Sequence, residues 1–210
     1  MLKIYHAPQT RGFRVIWICE ELSVPYEVVP VNFAAEYRAT PEWRALNPVG
    51  KVPVMADGGM VMFESCAMMQ YILDRYGGGR LQPARDDPGY AHYLQWSWFA
   101  EATFARPLGE IVNHRREFDP ELDAVVAEMK GRATACVAAL DAALSDRPWL
   151  LGEAMSAVDI STCYTMRGYR RMVSETLPAA VQAWFDRVTA LPSYAAAEKA
   201  DAETAERLKG

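Results

Sequence analysis

Glu64 and Ser65, in the stretch "FESCAMMQYIL" from Phe63 to Leu73, carry opposite chemistries at what reads as the mouth of a helix. A serine at that point caps the first turn, its hydroxyl accepting a backbone N–H. The remaining first-turn amides and the positive end of the helix dipole then favour an anion. Glu64 favours a cation beside it. One anion and one cation on the same carbon describe the head group of an α-amino acid. Capping alone accounts for Ser65 but not for Glu64. Upstream, "NPVGKVPVM" (Asn47 to Met55) puts Pro53 where a strand begins. Proline donates no ladder hydrogen bond, so strands tolerate it at a first residue or an edge. Two readings stand: a plain strand-start proline, or a cis peptide that turns the N–H and C=O of Val52 outward. In the second, an extended peptide would pair with Val52 as an added strand.

The elements that must position these residues follow from local pattern. "LKIYH" is a β-branched and aromatic run ending at Ala7-Pro8, a first strand. Val15, Ile18, Cys19 and Leu22 recur at helical spacing until Ser23-Val24-Pro25. "YEVVPV" reads as a second strand, with Pro30 at an edge or at its end. "AAEYRATPEWRALNP" is polar and broken by prolines, a loop with one short helix. "VPVM" and "MVMF" flank Asp57-Gly58-Gly59 as a hairpin. A helix from Ser65 carries Met68, Met69, Ile72 and Tyr76 at 3-4 spacing and ends at Gly77-Gly78-Gly79, glycines suited to a left-handed cap. Residues 1–79 therefore form a small α/β domain. "GGGRLQPARDDPG" gives a linker at 80–87. Residues 88–210 show only amphipathic helical patterns, an all-helical domain of about five helices. Val126, Met129, Ala133, Cys136, Val137 and Leu140 form one apolar stripe there.

Composition narrows the function classes. The chain of 210 residues is long enough for a real core, and its apolar share of 51% and charged share of 23% are those of an ordinary globular protein. A net charge of −5 argues against a nucleic-acid partner, and the doublets Arg115-Arg116 and Arg170-Arg171 read as solvated helix faces. No apolar run approaches the roughly 18 residues of a membrane span. "MLKIYHAPQT" has no signal-peptide core, so the expected compartment is the cytoplasm. Cys19, Cys66, Cys136 and Cys163 form no CxxC pair and read as reduced thiols. With His6, His92 and His114 far apart, no metal is expected.

The ordered set "YHAPQTRGFRV", "NPVGKVP", "ES" opening a helix, and "PWLLGEAMSAVDI" in a helical second half resembles the glutathione transferase family over essentially the whole chain. Its first turn is most similar to those of the bacterial, theta- or nu-like branch. The resemblance implies a thioredoxin-like N-terminal domain followed by an all-helical C-terminal domain. It also implies glutathione as cosubstrate, a homodimer, and a role in detoxification. On this pattern Val52, beside a cis Pro53, meets the cysteinyl backbone of glutathione, and Glu64 and Ser65 hold its γ-glutamyl end. Lys51, and less securely Arg38, would meet its glycine carboxylate. Ser156 to Asp159 has the spacing of a capping box, with Asp where Glu or Gln is usual, and reads as structural.

Glutathione attacks as a thiolate, and an unperturbed thiol titrates at about 8.5. Lowering that by two units takes about 2.7 kcal/mol of preference for the charged form. One hydroxyl and the first-turn amides of the Gly12–Leu22 helix could supply it. The position matching the serine of theta-like members is Thr10, which either stabilises the thiolate or only caps the helix; Arg11 would add positive potential. Tyr5 is the rival donor, although its place inside the strand favours packing. No cysteine lies between Ala7 and Phe13, so mixed-disulfide chemistry on the protein is not expected, and Cys66 is expected to face the domain interface. For the second substrate, Trp98, Phe104, Pro107, Ile111 and Tyr164 are candidate pocket residues, and their apolar character implies a hydrophobic electrophile. Two other functions stay open: a glutathione-dependent peroxidase or disulfide reductase without a protein cysteine, and a non-catalytic glutathione-binding module.

Overall fold

The computed structural model describes residues 1–209, and Gly210, the last residue of the expected second domain, lies outside them. The chain divides into two compact units: Met1–Arg80 together with the segment from Ala190 onward, and Leu81–Thr189.

In the first unit the elements run β1 (Leu2–His6), α1 (Gly12–Leu22), β2 (Tyr26–Pro30), α2 (Ala35–Arg38), α3 (Pro41–Leu46), β3 (Val54–Asp57), β4 (Met60–Phe63) and α4 (Ser65–Tyr76). The sheet order is β2-β1-β3-β4. β1 pairs with β2 in parallel and with β3 antiparallel, and β3 pairs with β4 antiparallel. This mixed sheet with helices is the thioredoxin-like arrangement. Leu2, Ile4 and His6 alternate inward along β1, as a half-buried strand requires. Pro30 ends the edge strand β2, where its missing N–H interrupts no ladder. The polar segment expected to hold one helix holds two, because Thr40 accepts from the Trp43 N–H at 3.3 Å and Pro41 stands in the first turn of α3. α4 is tied to the hairpin through Asp57, which accepts from Tyr76 at 2.6 Å and Tyr71 at 2.8 Å with Arg75 at 3.4 Å. These partners hold the Asp57 carboxyl below the usual carboxylate range. The left-handed residue after α4 is Gly78 (φ 57), one position past the C-cap Gly77.

The sequence reading assigns everything after residue 87 to the helical domain, but helix α10 (Pro192–Arg207) packs on α1 in the first unit. Trp17 Nε1 donates to Ser193 at 3.1 Å, and Tyr194 meets the rings of Trp17 and Phe13 edge-on at 4.9 and 5.9 Å. Arg207 donates to the Val28 carbonyl at 3.0 Å. Helical periodicity gives the apolar face of a segment but not the body it covers, so the allegiance of α10 was not readable.

The second unit contains α5 (Tyr90–Trp98), a π-helical segment (Phe99–Phe104), α6 (Ala105–Glu117), α7 (Asp123–Leu144), α8 (Ala157–Met172) and α9 (Ala179–Thr189). The single long pattern from Tyr90 to Asn113 is thus interrupted by a π turn. Pro107 has no N–H to give the turn before it. The Thr103 carbonyl is met instead by Cys136 Sγ at 3.9 Å, and the Ala100 carbonyl accepts both the Ala105 N–H and Thr165 Oγ1, the latter at 3.1 Å. The capping box forms as read. Ser156 N–H and Oγ donate to Asp159 Oδ2 at 2.9 and 3.0 Å, and Leu150 N–H and Trp184 Nε1 donate to Oδ1 at 3.0 and 2.9 Å. Burial pushes the Asp159 carboxyl up, against the pull of these four donors. Among the described residues no helix is long and apolar enough to cross a membrane.

Candidate functional site

The register of the sheet decides which segments meet. Tyr5 pairs with Val54 in β1–β3, and Val54 pairs with Phe63 in β3–β4. The C-terminal end of β1, the start of β3 and the end of β4 therefore lie side by side at one edge of the first unit. Three segments leave the sheet there: the turn Ala7–Arg11 carrying Thr10, the approach Lys51–Pro53, and Glu64-Ser65.

The Val52–Pro53 peptide bond is cis. Val52 is half-buried, stands outside the ladder, and its N–H and C=O have no hydrogen-bond partner among the described residues. The loop before it is braced from within. Asn47 is buried, and its Nδ2 donates to the Lys51 carbonyl at 2.9 Å while its Oδ1 accepts from the Val49 N–H at 3.0 Å. Gly50 has φ +67, and a Cβ there would come within 2.9 Å of the Arg38 carbonyl, so only glycine fits. Lys51 is exposed. Arg38 is engaged locally: it donates to the Phe33 and Gly50 carbonyls at 2.9 and 3.2 Å and lies over the Phe33 ring.

Glu64, not Ser65, is the N-cap of α4; no side chain caps that helix, and Ser65 is its first residue. Ser65 has instead a partner that local spacing does not reveal. Arg14, fully buried in α1, directs its NH1 toward Ser65 Oγ at 3.4 Å, long for a hydrogen bond, and toward Cys66 Sγ at 3.8 Å. A buried guanidinium thus stands behind the first turn of α4 and adds to the positive potential of its amides. Met68 N–H closes the first helical bond, to the Glu64 carbonyl at 2.9 Å. The sulfur of Cys66 meets Arg14 within the first unit. Glu64 itself is exposed, has φ 79 and ψ 103, and its carboxylate has no hydrogen bond or ion pair among the described residues. For a residue with a Cβ that backbone costs about 1–3 kcal/mol, strain that tends to persist at ligand sites.

In the turn, Thr10 is half-buried and caps nothing: the N-cap of α1 is Arg11, without a side-chain cap bond. Thr10 Oγ1 donates to the Ala7 carbonyl at 2.7 Å. Tyr5 packs edge-on against Trp43 at 6.3 Å beside Val31 and Val54, the packing role its strand position favours. The helical unit holds the remaining candidates differently from one another. Phe104 and Ile111 expose no surface and Pro107 is buried, so as the helices stand they pack the interior. Trp98 is 72% exposed and Tyr164 half-buried. No group of three or more His, Cys, Asp or Glu side chains could hold a metal ion among the described residues.

Residues 1–74 match the family model described as glutathione S-transferase, N-terminal domain, and residues 108–192 the one described as glutathione S-transferase, C-terminal domain. The chain is 32% identical over 197 residues to glutathione S-transferase 4 of Zea mays, covering 86% of this chain and 83% of that protein. The chain belongs to the glutathione S-transferase family. The match to glutathione S-transferase 3 of Schizosaccharomyces pombe, 33% identical over 103 residues, spans 49% of this chain and 42% of that relative's length. The disulfide-bond oxidoreductase YfcG of Escherichia coli is 23% identical over 201 residues, 92% of each chain. Among solved structures, the glutathione transferase URE2P8 of Phanerochaete chrysosporium with oxidized glutathione superposes with TM-score 0.88 at 26% identity, over 98% of this chain and 96% of that one. The theta class transferase of Xanthomonas axonopodis pv. citri with glutathione bound gives 0.80 at 28% identity, over 92% and 94%.

Proposed function

We propose that the protein is a glutathione transferase that joins the glutathione thiolate to a hydrophobic electrophile. The observation that carries this reading is the free backbone pair of Val52 standing at the same sheet edge as Glu64 and the Arg14-backed first turn of α4. Val52 would pair with the cysteinyl residue of the tripeptide as a short added strand. The γ-glutamyl carboxylate would lie on Ser65 and the first-turn amides, its ammonium on Glu64, and the glycine carboxylate near Lys51. That pose aims the sulfur at the turn after β1. Thr10 would then rotate its hydroxyl from the Ala7 carbonyl to the sulfur, with the amides at the start of α1 and the charge of Arg11 beside it. The thiolate attacks the electrophilic carbon, its leaving group departs, and the product is a thioether. Of the helical-unit candidates, Trp98 and Tyr164 keep surface to offer an apolar substrate. A theta-like assignment fits a hydroxyl rather than a cysteine in the turn and the likeness to the Xanthomonas enzyme. A homodimer in the cytoplasm accords with the family. The test is turnover of an aryl halide with glutathione, followed by thioether absorbance; folded protein giving only the uncatalysed rate contradicts the reading.

A second reading has its own support. The disulfide-bond oxidoreductase YfcG matches over nearly the whole chain. With no cysteine from Ala7 to Phe13, bound glutathione would have to supply the attacking thiolate. Rapid reduction of a small disulfide with negligible aryl halide conjugation selects this alternative.

A further inference from the structure

The geometry points to Asp201, on α10, as a positioning residue for the turn that carries Thr10; the inference rests on the thiol activation proposed above. One carboxylate oxygen does the work. Asp201 Oδ1 accepts from His6 Nε2 at 2.8 Å and from the Gln9 N–H at 3.0 Å. His6 is the last residue of β1 and fully buried, and Gln9 lies in the turn with φ 60. Between Gln9 and the start of α1 stand only Thr10 and Arg11.

Within the turn, the bonds that fix its shape are local: the Thr10 N–H and hydroxyl both reach back to the Ala7 carbonyl, at 3.3 and 2.7 Å. They hold Thr10 against Ala7 but not against the sheet. Asp201 supplies that second reference, because it grips the end of the strand and the middle of the turn through the same atom. The His6 ring has little other polar anchorage, since its Nδ1 is buried without a hydrogen-bond partner. That nitrogen sits against Gly12, where an added Cβ would collide with it. The ring is therefore clamped between the carboxylate and the first residue of α1. The C-terminal helix is thus a part of the thiol-activating machinery and not merely a cover on α1.

If the role is placement, it should show in kcat and not in glutathione affinity, because the Val52 and Glu64 contacts are untouched. Misplacing a reacting group by about 1 Å can cost up to about a hundredfold in rate. Two variants separate placement from charge. Asp201→Asn keeps an oxygen able to accept both bonds, and should retain kcat within about threefold of wild type. Asp201→Glu keeps the charge but moves the carboxylate by one methylene, and should lower kcat about tenfold or more with KM for glutathione within about twofold. The thiol of glutathione bound to Asp201→Glu should also titrate at higher pH than on the wild type. Urea midpoints and circular dichroism report the folded fraction. Full kcat in Asp201→Glu, a loss in Asp201→Asn as large as in Asp201→Glu, or a loss that only follows the folded fraction overturns the inference. Wild-type protein that fails to bind glutathione overturns the proposed function first and this role with it. A wild type that conjugates normally beside a fully active Asp201→Glu removes the positioning role alone.

Discussion

Replacing Thr10 with alanine removes one hydroxyl, and the structure sets what that hydroxyl can contribute. In the turn it donates to the Ala7 carbonyl at 2.7 Å, a neutral bond worth about 1 kcal/mol net. Turned onto a thiolate it would make a charge-assisted bond worth about 1.5–3 kcal/mol. The difference, about 0.5–2 kcal/mol, corresponds to about 0.4–1.5 pKa units at 1.36 kcal/mol per unit. Thr10→Ala should therefore raise the thiol pKa of bound glutathione by about one unit. Because the thiolate is the reacting form, the acid limb of kcat moves to higher pH by the same amount. Well below that limb the variant turns over about tenfold slower, and well above it the two enzymes converge. Thr10→Ser keeps the donor and should keep the wild-type limb. The assay is the ultraviolet absorbance of the thiolate, titrated with pH on the glutathione complex. If Thr10→Ala titrates with the wild type, the first-turn amides of α1 and the charge of Arg11 carry the stabilisation, and Thr10 only shapes the turn.

Three further outcomes follow from packing and hydrogen bonding. Asp159→Ala strands the buried N–H groups of Leu150, Ser156 and Trp184, and at about 1–3 kcal/mol each should cost about 3–9 kcal/mol in urea unfolding; an unchanged midpoint would show that water or rearrangement satisfies them. Ser156→Ala, which removes one side-chain bond of the same box, should cost about 1 kcal/mol and leave kcat alone, checked by the same unfolding curve beside a rate measurement. Gly12→Ala drives a Cβ into the His6 ring and should cost about 1–3 kcal/mol. It should also speed amide hydrogen exchange at Gln9, and wild-type exchange would mean that the ring has room to move.

Much of the first unit was legible because its signals are local. The β-branched and aromatic run "LKIYH", the Asp57-Gly58-Gly59 hairpin and the helical spacing of Val15, Ile18 and Leu22 are each short-range patterns and agree with the observed strands and helix. The Ser156–Asp159 box was equally local and formed as read. What escaped depends on partners distant in sequence. Ser65 reads as a cap until Arg14, on another helix, is seen behind it. A trace of that was present in the sequence, since a lone arginine opening the apolar run "RVIWIC" needs a buried partner. Asp201 and His6 gave no sign, being single polar residues far apart in the chain. The π turn before Pro107 was hidden because a single shifted hydrogen-bond register barely alters apolar spacing over Tyr90–Asn113. For the helical-unit candidates, pattern marked Phe104 and Ile111 as apolar but could not tell an interior face from a ligand-facing one.

The claim on which the rest depends is that the Val52 edge and the Glu64-Ser65 helix mouth hold one tripeptide together. Calorimetric titration of the folded protein with glutathione, beside Glu64→Ala, tests it directly. The account predicts saturable binding of one glutathione per chain, weakened at least about tenfold, or about 1.4 kcal/mol, in the variant. No binding by the wild type, or equal affinity in Glu64→Ala, would contradict it.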